Sequence, residues 1–159
     1  MSKKVLLIIL LWSVIVIGWV LKSEYTLNLG REVILETVPV DPRDLFMGDY
    51  VILGFKIGQL RYSERKNYDT DIPVYVYLNV NGDNIASRSR VTQTKPASGS
   101  NDLYIKGKVK RNIIEFGIEN YYVKEKTGKN LEKELRNGGL VKVKIDKFGN
   151  AKVVGFVNR

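Results

Sequence analysis

Three carboxylates lie close together in the segment 39–53, PVDPRDLFMGDYVIL: Asp41, Asp44 and Asp49. Clustered carboxylates can bind a hard cation such as Ca²⁺, or divide the roles of general acid and general base, as in glycoside hydrolysis. Their spacing differs from that of an EF-hand, whose ligands alternate and end in a bidentate glutamate. Two prolines and Gly48 ahead of an apolar stretch are typical of a turn that leads into a strand. We therefore interpret the aspartates chiefly as turn formers, and we predict no metal ion and no cofactor.

A second polar cluster is predicted around Glu119. A carboxylate among apolar residues must be paired, because an isolated buried charge is costly, and Arg43 and Arg31 are candidate partners. The alternative is a site in which Glu119 and Asp49 converge on one cleft, with Arg43 and Tyr121 beside them. Such a site would indicate an extracytoplasmic hydrolase or a ligand-binding protein.

A row of lysines follows in LYIKGKVKR (103–111), where Lys106, Lys108 and Lys110 alternate with smaller or apolar residues. On a strand this spacing places the three lysines on one face. The simplest interpretation is a solvated face or a protected edge strand. Binding of an anionic polymer or of anionic lipid is the alternative, and salt would weaken such binding steeply. Nucleic acid is not expected, because a single aromatic residue interrupts the row.

Histidine and cysteine are both absent from the 159 residues. Their absence excludes disulfides, thiolate metal sites, cysteine nucleophiles and every histidine-dependent triad. The formal net charge is +9. This charge favours anionic partners in general without choosing among them. We expect no catalysis.

The segment 5–21, VLLIILLWSVIVIGWVL, is an uncharged apolar run preceded by Lys3 and Lys4 and closed by Lys22. Crossing a bilayer as a helix takes roughly 17 to 25 apolar residues. A cleaved signal peptide has a shorter apolar region, of roughly 7 to 15 residues, and a small-x-small cleavage site that is absent here. The sequence therefore predicts an uncleaved single-pass anchor in the cell membrane. The basic N-terminus predicts a cytoplasmic N-terminus and an extracytoplasmic domain.

Beyond the anchor, apolar residues recur with period two, which indicates half-buried strands. The clearest examples are the segments 33–40, 51–57, 74–80 and 141–145, with turns predicted at 81–83 and 147–150. Only 129–139 has a helical pattern inside the domain. The sequence predicts a mainly β protein: a transmembrane anchor at 1–22 and, at 23–159, a β-barrel or sandwich of about eight strands with one short helix.

Three consecutive apolar residues, Leu45, Phe46 and Met47, are unusual for the middle of an exposed loop. They are predicted to be buried beneath the loop or to contact lipid or a partner protein. Together with the single anchor, they predict a membrane-anchored envelope interaction domain. We expect it to act as an accessory subunit that docks on an integral membrane protein.

The string GDYVILGF also resembles the motif of the GDYXXLXY family of small envelope proteins. Its motif positions are Gly48, Asp49, Tyr50, Leu53 and Phe55. A later segment, FGIENYYVKEKTGKNLE (116–132), is similar to a second conserved string of that family, and the resemblance spans most of residues 31–157. It implies a membrane-anchored domain of uncharacterised function, frequently encoded near a multi-spanning membrane protein. The family has tyrosine where this chain has Phe55, which favours a packing role for that ring.

Overall fold

The computed structural model describes residues 3–39, 50–64, 68, 72–97, 99–110, 112–122 and 138–157. These residues form one α-helix, α1, a short 3₁₀ turn and ten strands. Their bounds are α1 (Lys3–Leu29), β1 (Arg31–Val38), β2 (Tyr50–Ile52), β3 (Gly54–Phe55), the 3₁₀ turn (Lys56–Gly58), β4 (Pro73–Val80), β5 (Ile85–Thr92), β6 (Tyr104–Lys110), β7 (Ile113–Glu115), β8 (Asn120–Tyr122), β9 (Leu140–Ile145) and β10 (Ala151–Val157).

Helix α1 contains the whole apolar run and continues for seven residues past Lys22, ending at Leu29. It is long and apolar enough to cross a membrane, and none of its most apolar 18-residue window is buried against the rest of the protein. Gly30 alone separates the helix from β1. A Cβ atom at Gly30 would lie 2.3 Å from the carbonyl oxygen of Thr26, so this tight connection requires glycine.

Seven strands form the path of the main sheet, in the order β10-β9-β1-β5-β4-β6-β7, and β3 pairs with β1 as its eighth strand. Neighbouring strands are antiparallel except β1 and β5, which are parallel. The sheet curls into a half-barrel around the apolar core. Near its open side the amide of Lys106 in β6 donates a 2.8 Å hydrogen bond to Gly149, in the turn between β9 and β10. This contact joins β6 to the turn between β9 and β10, at the opposite end of the strand order.

The alternating pattern identified the buried face of the sheet correctly. Val33 and Leu35 on β1 are fully buried, and so are Val141 and Val143 on the neighbouring β9. Burying such side chains stabilises the fold by roughly 1.5 to 3 kcal/mol each. The predicted turns at 81–83 and 147–150 connect antiparallel strands, as expected. The mainly β fold class is therefore confirmed, with 45% of the described residues in strands.

The segment 51–57 differs from its prediction as a single strand. It forms β2, which pairs with β8, then β3, which pairs with β1, and then the 3₁₀ turn. At the change of partner the amide of Leu53 donates to the carbonyl of Glu119, at 2.7 Å. The buried positions still alternate, because Val51, Leu53 and Phe55 all face the core. The period-two pattern therefore predicted correctly which residues of this segment are buried. It could not predict where one strand ends and the next begins, because that depends on the partners with which each strand pairs.

The predicted short helix at 129–139 falls mostly on residues 129–137, which lie outside the described part of the chain.

Candidate functional site

Strands β2 and β8 join the two segments that carry the family resemblance. Their register pairs Tyr50 with Tyr122, Val51 with Tyr121 and Ile52 with Asn120. These two short strands form a separate two-stranded sheet beside the half-barrel. The motif residues Gly48 and Asp49 lie outside the described residues, as do Arg43, Leu45, Phe46, Met47 and the remaining aspartates of the opening cluster, Asp41 and Asp44.

The last motif position, Phe55, is part of the core. Its side chain is only 5% exposed, and its ring packs edge-on against that of Phe116, with ring centroids 6.3 Å apart. Leu53 is 2% exposed. The aromatic contact therefore links β3 to the segment just ahead of β8. The geometry gives these two motif residues a packing role.

Glu119 is half-buried and closes the turn that leads into β8. One carboxylate oxygen accepts a hydrogen bond from the amide of Phe116, and the other accepts one from the amide of Gly117 at 2.8 Å. Gly117 has φ +80°, the left-handed conformation that such a turn needs. Tyr121, two residues later, packs edge-on against Phe156, with centroids 4.9 Å apart. Both Glu119 oxygens are thus used in holding the turn.

The three lysines of β6 lie on its outer face, because the residues that alternate with them, Ile105, Gly107 and Val109, are buried. Lys110 forms an ion pair with Glu115 on β7, at 2.8 Å. Lys106 and Lys108 are exposed. The prediction from strand alternation that the three lysines share one face is therefore confirmed.

A cavity of about 440 Å³ opens in front of this lysine face, and we call it the lysine cleft. Helix α1 forms one wall through Trp19, Lys22, Ser23 and Thr26. Strand β6 and the start of β10 form the other walls. Five lysines and one glutamate line the cleft, giving a formal charge of +4: Lys22, Lys106, Lys108, Lys110, Lys152 and Glu115.

Directly beside the cleft, the end of α1 is bonded to the turn between β9 and β10, and we call this contact the junction. The hydroxyl of Thr26 donates to the Asp146 carboxylate at 2.7 Å, and both residues are buried. The same carboxylate accepts the amides of Phe148 and Asn150, at 2.8 and 3.0 Å, and the Asn150 side chain, at 2.9 Å. The Lys144 ammonium donates to the carbonyl of Leu27 at 2.6 Å. A lysine on a carbonyl near a helix C-terminus is also favourable for the helix dipole.

Aromatic residues surround the junction. The ring of Tyr25 on α1 packs against that of Phe148, with centroids 6.0 Å apart. On the other side, the Tyr104 hydroxyl donates to the carbonyl of Lys147 at 3.0 Å. Burial raises the pKa of the Tyr104 phenol, so this group remains a protonated donor at neutral pH. The turn is therefore fixed from both α1 and β6.

Sequence reasoning missed the junction. One signal was present: Asp146 immediately precedes the predicted turn, where an aspartate commonly accepts backbone amides. The second signal was Thr26, a polar residue in the helical continuation beyond Lys22. Neither signal reveals that the two residues meet, because they are 120 positions apart in sequence.

In the part of the chain that the structure describes, no group of three or more histidine, cysteine, aspartate or glutamate side chains is placed so that it could hold a metal ion.

The family model described as GDYXXLXY protein matches residues 12–156. No curated protein and no solved structure matches the chain. The matched range includes the apolar run from Trp12 onward, the junction, strands β1 to β9 and all of β10 except Val157.

Proposed function

The chain belongs to the GDYXXLXY protein family, and we propose that it is a membrane-anchored accessory domain that docks on an integral membrane protein. Helix α1 is the anchor, with the N-terminus in the cytoplasm and the β domain outside. Large apolar side chains are exposed along the helix from Val5 to Leu21, which suits contact with lipid acyl chains. Lys3 and Lys4 support a cytoplasmic N-terminus.

The observation that carries this proposal is the junction. An anchor that ended in a flexible linker would leave the domain free to tumble above the membrane. Here the helix passes through Gly30 directly into β1, and the Thr26 hydroxyl is bonded to the buried Asp146. These contacts hold the domain in one orientation relative to the helix, which suits a subunit that docks beside its own anchor. Residues 22–29, where a signal-peptide cleavage site would lie, are instead helical.

For the docking contact we propose Leu45, Phe46 and Met47. Large apolar side chains are enriched at protein interfaces, where their burial supplies much of the binding energy. Because the anchor would keep the domain beside the bilayer, this apolar segment would meet proteins that span the same membrane more often than soluble proteins.

A photo-crosslinking amino acid at Phe46 is expected to give one adduct with a specific integral membrane protein in native membranes. The same amino acid at Asp83, an exposed residue of the turn between β4 and β5, serves as the matched control. Crosslinks from Leu45 and Met47 should capture the same protein, identified by mass spectrometry after extraction with detergent. Equal capture from Asp83, or no adduct from any of the three apolar positions, would contradict docking through this segment.

The orientation can be tested cleanly because the chain has no cysteine. In intact cells or spheroplasts, a membrane-impermeant maleimide is expected to label Gly82→Cys fully and Ser2→Cys only after the membrane is permeabilised. A Cβ atom at Gly82 meets no other atom within 4 Å, so this substitution fits the fold. The mass of the intact membrane-bound protein should include residues 1–22. Labelling in the opposite order, or loss of the N-terminal segment, would refute the proposed anchor.

A further inference from the structure

We propose that the lysine cleft binds the phosphate headgroup of an anionic phospholipid from the surrounding leaflet. This inference rests on the membrane anchoring proposed above and adds a ligand to it. Its basis is the position of the cleft relative to the apolar run, the charge of its walls and its size.

The cleft lies at the depth of lipid headgroups. Its helical wall is formed by Trp19, Lys22, Ser23 and Thr26, which lie on one face of α1 with the spacing i, i+3, i+4 and i+7. Trp19 belongs to the apolar run, near its end, and tryptophan favours the membrane interface. From Trp19 to Thr26 the helix rises roughly 10 Å. The headgroup region on each side of a bilayer is about 5 to 8 Å thick, so the cleft spans it.

The charge of the cleft suits a phosphate. Glu115 is the one carboxylate among the described residues that line it, and its oxygen is already paired with Lys110. Lys106, Lys108 and Lys152 come from two strands, β6 and β10, and form no ion pair with any carboxylate in the described ranges. Ammonium groups bind phosphate as compact point charges. A bound anion would also relieve the mutual repulsion of these lysines.

The size of the cleft is that of a small-molecule site, since 440 Å³ lies within the usual range of roughly 300 to 1,000 Å³. The position of Trp19 favours a lipid over a soluble polymer. A lipid can place its phosphate among the lysines while its acyl chains lie along the exposed apolar residues below Trp19. A soluble anion would contact the lysines alone.

The fluorescence of Trp19 can be used to measure lipid binding at the cleft. In the Trp12→Phe variant it is the sole tryptophan of the chain. The full-length variant is reconstituted in phosphatidylcholine vesicles that contain a fraction of brominated phosphatidylglycerol, or the same fraction of brominated phosphatidylcholine. Bromine quenches tryptophan fluorescence on contact. The ratio of the two quenching curves therefore gives the relative affinity of the cleft for the anionic lipid.

We expect a preference of about fivefold or more for phosphatidylglycerol, because even one basic residue at an anionic surface contributes about fivefold. Lys106→Gln, Lys108→Gln and Lys152→Gln together should reduce the preference to less than about twofold. A matched control removes three exposed positive charges elsewhere: Lys56→Gln, Arg61→Gln and Lys95→Gln. The control should keep the preference, and thermal unfolding should show that both variants remain folded.

Each alternative has a distinct result. An equal loss of preference in both triple variants would reduce the effect to general surface charge and overturn the cleft as a site. Quenching that is indifferent to headgroup would also overturn it. If inorganic phosphate or polyphosphate competes fully at equal phosphate concentration, the ligand is a soluble anion and the lipid assignment is wrong. Extraction of the protein from neutral vesicles by alkaline carbonate would instead refute the anchor.

Discussion

Replacing Asp146 by alanine is expected to lower the free energy of unfolding by about 2 to 4 kcal/mol. The carboxylate accepts four hydrogen bonds and is 4% exposed. Its removal leaves the amides of the turn without their acceptor, and the Thr26 hydroxyl keeps only its longer contact with the carbonyl of Lys22, at 3.3 Å. A buried donor that loses its partner costs about 1 to 3 kcal/mol. Denaturant unfolding of the full-length protein in detergent, followed by circular dichroism, measures the change.

The matched control for this substitution is Asp83→Ala. Asp83 occupies the turn between β4 and β5 and is exposed, so its loss is expected to change stability by less than about 0.5 kcal/mol. Thr26→Val removes only the hydroxyl donor of the junction. A double-mutant cycle of Asp146→Ala and Thr26→Val should give a coupling energy of about 0.5 to 3 kcal/mol. Additive effects would show that the bond between Thr26 and Asp146 does not couple the helix to the turn, and the junction would then lose the contact on which the proposal mainly rests.

The second large effect is expected at the last motif position. Phe55→Ala should lower the free energy of unfolding by about 3 to 5 kcal/mol, because it removes a buried ring and leaves a cavity beside Phe116. Phe55→Tyr restores the residue of the family motif and keeps the ring, so its cost should be about 1 kcal/mol. The same unfolding assay measures both variants.

Phe148→Ala is the control for Phe55, because it removes the same side chain from a site that is 58% exposed. Its expected cost is below about 1 kcal/mol. If Phe55→Tyr proved as destabilising as Phe55→Ala, ring packing alone would not explain why the fold depends on this position. If Phe55→Ala cost no more than Phe148→Ala, the motif residue would not belong to the core.

Local sequence patterns were sufficient for the features that depend on one strand or one helix. Val33 and Leu35 lie two positions apart between Glu32 and Glu36, and the strand and its buried face follow from this period-two spacing. The shared face of Lys106 and Lys108 follows from the same alternation. The apolar run likewise predicted α1, because a long uncharged helix has a strong local signal.

Features that depend on distant contacts were beyond the same reasoning. The segment 51–57 changes strand partner at Leu53, and that change is determined by Glu119, 66 positions later. The opposition of Lys152 to the lysines of β6 depends on the curl of the whole sheet. The continuation of α1 past Lys22 is held by Asp146 and Lys144, which belong to the last hairpin. Propensities and local patterns describe neighbouring residues only, so they cannot predict these contacts between distant parts of the chain.

Gly30 has a mechanical consequence. The connection between α1 and β1 is a single glycine with no space for a side chain, and β1 lies inside the sheet, between β9 and β5. With α1 in a membrane, as proposed above, helix and sheet would tilt as one rigid body. Transmembrane helices tilt by about 20° on average, and a tilt of that size displaces a point ~30 Å above the membrane surface sideways by roughly 10 Å. Because helix tilt depends on bilayer thickness, the thickness of the membrane would then determine how far sideways the domain extends.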